Sequence, residues 1–136
     1  MPAYEEIKVG DVAEKSLVVT EQLVRDFAAL SGDYNPVHLD EGYATATVFG
    51  HRVAHGVISA ALLSTVLGTM LPGEGTIYLS QSLEFRKPVF LNENVTAKVE
   101  VKDKNNRSKK IRLLTTVYKA DGQMALSGEA WVLCTR

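Results

Sequence analysis

The pattern of hydrophobic residues changes period once along the chain, and that change limits the fold. Val57-Ile58-Ser59-Ala60-Ala61-Leu62-Leu63-Ser64-Thr65-Val66-Leu67 contains no charged residue. A surface helix would show a charged face, so this helix is expected to be enclosed on most sides. Leu71-Pro72-Gly73 ends it. Beyond it the period becomes two. Ile77, Leu79, Gln81, Leu83 and Phe85 alternate with Tyr78, Ser80, Ser82, Glu84 and Arg86. Val95, Ala97, Val99 and Val101 repeat the alternation, as do Ile111, Leu113, Thr115 and Val117. A last strand is expected near Met124 to Leu133. Asp103 to Lys110 reads as a charged turn and Asp121-Gly122 as a hairpin signal. Consecutive strands on short turns imply an antiparallel sheet. One enclosed helix and one twisted sheet fit together when the sheet wraps the helix, an α+β arrangement with segregated elements. Such a sheet leaves an open edge strand, which a homodimer would cover.

Upstream, Ile7 to Asp11 ends in a turn signal and Lys15 to Val19 suits a first strand. Thr20 can cap the helix that follows, through its hydroxyl. Leu23, Val24, Phe27, Ala28 and Leu30 give that helix an apolar face. Ser31-Gly32 ends it. Asp40 can cap a second short helix through Tyr43 to Ala46.

The composition excludes several classes. With 136 residues the chain is one ordinary domain, here taken as residues 1–136. Hydrophobic residues make up 46%, too many for a disordered chain. Fifteen Lys and Arg against 16 Asp and Glu give a net charge of -1, which argues against nucleic-acid binding through a basic field. Cys134 is the single cysteine, so neither an internal disulfide nor a cysteine-based metal cluster forms, as suits a reducing compartment. Met1 to Glu6 is acidic and lacks the apolar core of a signal peptide. The apolar run from Val57 to Leu71 falls short of the roughly 20 residues of a membrane span. A cytoplasmic protein is the expectation.

Asp33-Tyr34-Asn35-Pro36-Val37-His38-Leu39-Asp40 sets a carboxylate and an imidazole on either side of a proline. Pro36 fixes its own φ and pushes Asn35 toward an extended conformation, so the segment is expected to be a turn held in one shape. On it, Asp33 and His38 can face one small volume, one accepting a proton while the other donates. Ala54-His55-Gly56 follows, directly before the uncharged run.

These residues carry a resemblance. Ser31 to Asp40 resembles the signature of the MaoC-like (R)-specific enoyl-CoA hydratases, and Val53-Ala54-His55-Gly56 resembles their second block. Leu71 to Phe85 and Pro88-Val89-Phe90 are similar to the short PhaJ-type members. The resemblance implies a hot-dog fold, in which an antiparallel sheet wraps a central helix, and a homodimer. It implies reversible syn hydration of a trans-2-enoyl-CoA to an (R)-3-hydroxyacyl-CoA, without metal or redox cofactor. Supply of polyhydroxyalkanoate monomers or short-chain acyl-CoA metabolism is the implied role. Asp33 and His38 match the catalytic pair. Gly56 matches the residue whose N–H faces the thioester oxygen, and the free N–H groups of a helix start suit that task. Ser64 is implied to lie in the site, a little over two turns beyond Gly56, although a helix serine also bonds its own backbone. Asn35 can hold the turn or bind near the water. His55 can fix the loop before Gly56 or touch substrate. His51 and Arg52 are candidates for CoA phosphates, beside their reading as a solvated loop. Tyr34 and Tyr78 read as packing residues. Leu67, Leu71 and Leu79 are candidate walls for the acyl chain.

Rival chemistries find less support. His51 and His55 are four apart, but no Glu stands where the zinc motif H-E-x-x-H places its base. Ser64, His38 and Asp33 could compose an esterase triad, yet Gly56-Val57-Ile58-Ser59-Ala60 is not a G-x-S-x-G elbow. A hot-dog acyl-CoA thioesterase and a dehydratase acting on acyl carrier protein thioesters are the stronger alternatives, because one fold hosts several reactions.

Overall fold

The computed structural model describes residues 3–136. Met1 and Pro2, part of the stretch read as lacking a signal peptide, lie outside the described residues. The elements run β1 (Val12–Val18), α1 (Glu21–Ser31), α2 (Pro36–Leu39), α3 (Glu41–Thr45) and α4 (Gly56–Thr69). Then come β2 (Ile77–Gln81), β3 (Glu84–Phe85), β4 (Asn94–Asn105), β5 (Lys110–Lys119) and β6 (Met124–Leu133).

The strands form one antiparallel sheet in the order β1-β4-β5-β6-β2, with β3 also on β6. The last three strands pair in succession, as short turns dictate. The strand β2 does not continue that series but pairs with β6 at the far end, Ile77 opposite Leu133. The sheet thus curls around α4, whose neighbours are β1, β4 and β5. This is the hot-dog arrangement. No helix among the described residues is long and apolar enough to cross a membrane.

The alternating residues of the long strands behave as their period predicts. Val95, Ala97, Val99 and Val101 of β4 and Ile111, Leu113 and Val117 of β5 are fully buried. They meet Ile58, Leu62, Leu63, Val66 and Leu67 of α4. Two expectations need correction. The helix α4 is not enclosed on most sides: Val57, Ala61, Ser64, Thr65 and Gly68 are exposed. Small uncharged side chains fill that face, so the absence of charge there does not mark burial in the chain's own core. The alternation of β2 likewise buries neither set, for Ile77, Tyr78 and Leu79 are all exposed. An edge strand with apolar residues on both faces reads from sequence like any half-buried strand.

The caps follow the sequence. Thr20 Oγ1 accepts from the Leu23 N–H at 3.1 Å, and Asp40 Oδ1 from the Tyr43 N–H at 3.1 Å. Gly32 ends α1 at φ 78°, a conformation in which a side chain is strained. The segment after it is not a plain turn. Pro36 opens the single helical turn α2, because a missing N–H costs nothing at a first helical position. Asn35 caps this turn, its Oδ1 accepting from the Val37 N–H at 3.3 Å.

The link from β2 to β3 lies tightly on β6. Ser82 N–H donates to the Glu129 carbonyl at 2.9 Å, and Glu129 N–H donates to Ser82 Oγ at 2.9 Å. A Cβ at Gly128 would stand 1.8 Å from the Ser82 carbonyl oxygen, which is backbone and cannot swing away. Gly128→Ala is therefore expected to lower the unfolding free energy by at least about 2 kcal/mol. An unchanged urea midpoint would contradict this packing.

Candidate active site

His38 is placed by α2 and held from two directions. Its Nδ1–H donates to the Val53 carbonyl at 2.8 Å. A carbonyl only accepts, so Nδ1 carries the hydrogen, and in the neutral ring Nε2 keeps its lone pair. The His38 carbonyl in turn accepts from Arg52 Nε at 2.9 Å. The Arg52 guanidinium forks onto both carboxylate oxygens of Glu21 on α1, at 2.7 and 2.5 Å. That bidentate pair holds the Glu21 carboxyl below the usual carboxylate range. Arg52 is thus committed to positioning α2 and is not free for a CoA phosphate. His51, the other candidate, bonds Glu41 at 3.0 Å.

Burial pushes the His38 imidazole below its ordinary value, and His55 adds to the effect. The Val53 hydrogen bond and the Asp33 charge act the other way without reversing it. At neutral pH His38 is therefore an uncharged ring with an open acceptor.

His55 lies immediately beneath. Its ring stacks on His38 with centroids 3.9 Å apart, and Phe27 of α1 packs on it at 4.7 Å. His55 Nε2–H donates to the Asp33 carbonyl at 3.0 Å. The loop carrying Asp33 is thereby pinned to the N-terminus of α4. Asp33 Oδ1 also accepts from the Asn35 N–H at 3.2 Å, closing a small Asx turn. One donor atom from each of Asp33, His38 and His55 lies within 4.8 Å of the others. Such a trio has the atom types that metals bind. Val53 already occupies one nitrogen of His38, and Asp33's carbonyl one of His55. His55 Nδ1, buried, has no hydrogen-bond partner among the described residues.

A cavity of about 350 Å³ opens beside these residues, lined in part by His38, His55, Gly56, Ser59, Phe85 and Val89. Gly56 is the first residue of α4, so its N–H has no acceptor within the helix. A Cβ there would lie 2.7 Å from the Phe85 ring, so only glycine leaves the helix start open to a close neighbour.

The expected residues divide as follows. Asp33, His38 and His55 come together, and Gly56 joins His38 and His55 on the cavity wall. Asp33 stands exposed at the edge rather than on the wall. Asn35 caps α2. Ser64 lies on the exposed face of α4 and does not line this cavity. The serine that does is Ser59, buried and one turn beyond Gly56, a spacing that could have drawn notice to it. Leu67 and Leu71 belong to the core and Leu79 is exposed, so none walls this cavity. Tyr34 and Tyr78 are exposed rather than packed.

Residues 5–123 match the family described as MaoC like domain. The chain is 44% identical over 130 residues to the (R)-specific enoyl-CoA hydratase of Rhodospirillum rubrum, covering 96% of this chain and 90% of that protein. It is 43% identical over 126 residues to the (R)-specific enoyl-CoA hydratase of Aeromonas caviae, covering 93% and 94%. Among solved structures, the A. caviae (R)-hydratase involved in PHA biosynthesis superposes with a TM-score of 0.93 at 42% identity, covering 95% of this chain and 98% of that one. With its wrapped helix and an Asp and His gathered at the start of that helix, this chain belongs to the MaoC-like family.

Proposed function

We propose that this protein is an (R)-specific enoyl-CoA hydratase, adding water in syn fashion to a trans-2-enoyl-CoA. The observation that carries the reading is the open Nε2 of a neutral His38 beside the Asp33 carboxylate, next to a largely apolar cavity that Gly56 helps to line. The relatives named for this reaction, and a related 3-hydroxybutyryl-CoA dehydratase of Methylorubrum extorquens at 42% identity, support it. Supply of hydroxyacyl units for polyester storage in the cytoplasm is the role that suits these relatives.

In this reading the acyl thioester lies in the cavity with its carbonyl oxygen at the Gly56 N–H. Negative charge grows on that oxygen as the hydroxyl adds to C3, and the helix N-terminus favours it. One such donor is worth about 2.7–4 kcal/mol of barrier. Asp33 and His38 hold one water between them. Its hydroxyl forms the bond to C3, its proton passes to the pair, and the pair delivers a proton to C2 on the same face. Water is consumed and both catalytic groups end as they began. Asn35 and His55 act at one remove, by shaping the Asp33 loop. The assignment of Ser64 rests on the resemblance alone.

A homodimer is part of the proposal. The outer face of α4 and the apolar edge strand β2 border one groove lined by Val57, Ala61, Tyr78 and Leu79, and a second copy is the simplest cover for both. Ser64 lies on that same face of α4.

The direct test is hydration of crotonyl-CoA, followed by loss of conjugated absorbance with free thiol measured in parallel. Loss of conjugation without thiol, giving the (R) product, is expected. Thiol release would instead identify a thioesterase. Asp33→Asn and His38→Ala are each expected to lower kcat by about 10²- to 10⁴-fold with the fold intact. Near-wild-type turnover in either would remove that residue from the reaction. Because His38 must be unprotonated to accept, kcat/KM for hydration is expected to fall on the acid side. That limb should lie below the ordinary imidazole value of about 6.5, since burial depresses the folded-state value. A limb above that value would show a different group in control.

A further inference from the structure

The cavity that holds His38 and Gly56 is lined by two cations and no carboxylate. Arg86 and Lys87 form part of its wall just after β3, beside Pro88. Their position is fixed by backbone: both N–H groups donate to the Ala125 carbonyl of β6, at 2.8 and 3.3 Å. The Arg86 guanidinium is steadied in turn. Its Nε–H donates to Ser127 Oγ at 2.7 Å, and Nη2 pairs with Glu84 at 2.8 Å. Half of the Arg86 side chain remains exposed. Lys87 is exposed and pairs with no carboxylate among the described residues.

Arg52, next to the lining residue Val53, is fully engaged: its three nitrogens bond the His38 carbonyl and Glu21. Arg86 uses only Nε and Nη2 among the described residues, which leaves Nη1 open. Two long cationic side chains beside an otherwise apolar cavity do not serve an acyl chain. They suit a ligand with an apolar end inside and a polyanionic end outside.

We propose that Arg86 and Lys87 bind the phosphates of CoA as the carrier leaves the cavity, a role that rests on the hydratase reading above. Arg86, already oriented by Ser127 and Glu84, presents its remaining N–H groups in a planar fork suited to phosphate. Lys87 adds a mobile point charge. The pair therefore discriminates by charge: CoA brings a diphosphate and a 3′-phosphate, whereas the 4′-phosphopantetheine arm of a carrier protein brings one phosphate.

The test is calorimetric titration of the wild-type protein, Lys87→Glu and Arg86→Gln with free CoA and with 4′-phosphopantetheine, neither of which reacts. The wild type is expected to bind CoA at least about tenfold more tightly than 4′-phosphopantetheine. Each variant, its folding checked by circular dichroism, should lose most of that difference, its affinity for CoA falling by more than its affinity for 4′-phosphopantetheine. Equal wild-type affinities for the two ligands would overturn the proposal and shift the reading toward a carrier-protein substrate. Wild-type CoA affinity in both variants would overturn it as well. Turnover of crotonyl-pantetheine, which has no phosphate, reports separately on the hydratase reading, so failure of one is not mistaken for failure of the other.

Discussion

A helix without a charged residue must be covered, and the arrangement of this protein depends on that need. Half of α4 is covered by the chain itself, through Ile58, Leu62, Leu63, Val66 and Leu67 against β4 and β5. Curling the sheet around this face places β2 against β6 and not against β4. It also fixes where α4 begins, and the site is built at that beginning. His55 immediately precedes the helix, Gly56 opens it, and Ser59 follows on the buried side.

The polar contacts around His38 are consequences of that placement. The loop from Arg52 to His55 runs into the helix start and touches His38 in three ways. Val53 takes the Nδ1 hydrogen, Arg52 holds the carbonyl, and His55 stacks on the ring. Each contact removes one freedom of the imidazole: its tautomer, its backbone position and its tilt. The burial that comes with this packing costs a charged imidazole its hydration and so keeps the ring uncharged.

Much of this was legible in the sequence. The long strands announced themselves because Val95 to Val101 and Ile111 to Val117 alternate without interruption. Thr20 and Asp40 were readable as caps because a side-chain oxygen before a helix has few other uses. Asp33 and His38 stood out through their spacing about Pro36 and the motif around them. Other features were hidden for physical reasons. A chain in isolation does not reveal whether an apolar face meets its own core or another surface, so the two sides of α4 looked alike. Arg52 looked like a free loop cation because its partner, Glu21, lies far back in the sequence on α1. Ser59 is not legible because nothing local separates a buried serine that lines a cavity from one that merely packs. Pro36 suggests a fixed turn, although at a first helical position it starts a helix.

The groups nearest the proposed chemistry, from Asp33 to Gly56, lie in one short continuous stretch of chain, and their mutual contacts are local to it. Most of the sheet comes later, and to the cavity this part of the chain contributes wall, through Phe85, Val89, Ala125 and Leu126 among others. In the proposed reaction, chemistry and specificity therefore fall to different parts of the chain. Substitutions in that later part can recut the cavity without disturbing the cluster of Asp33, His38 and His55. A protein divided in this way can change what it accepts while continuing to do the same thing to it.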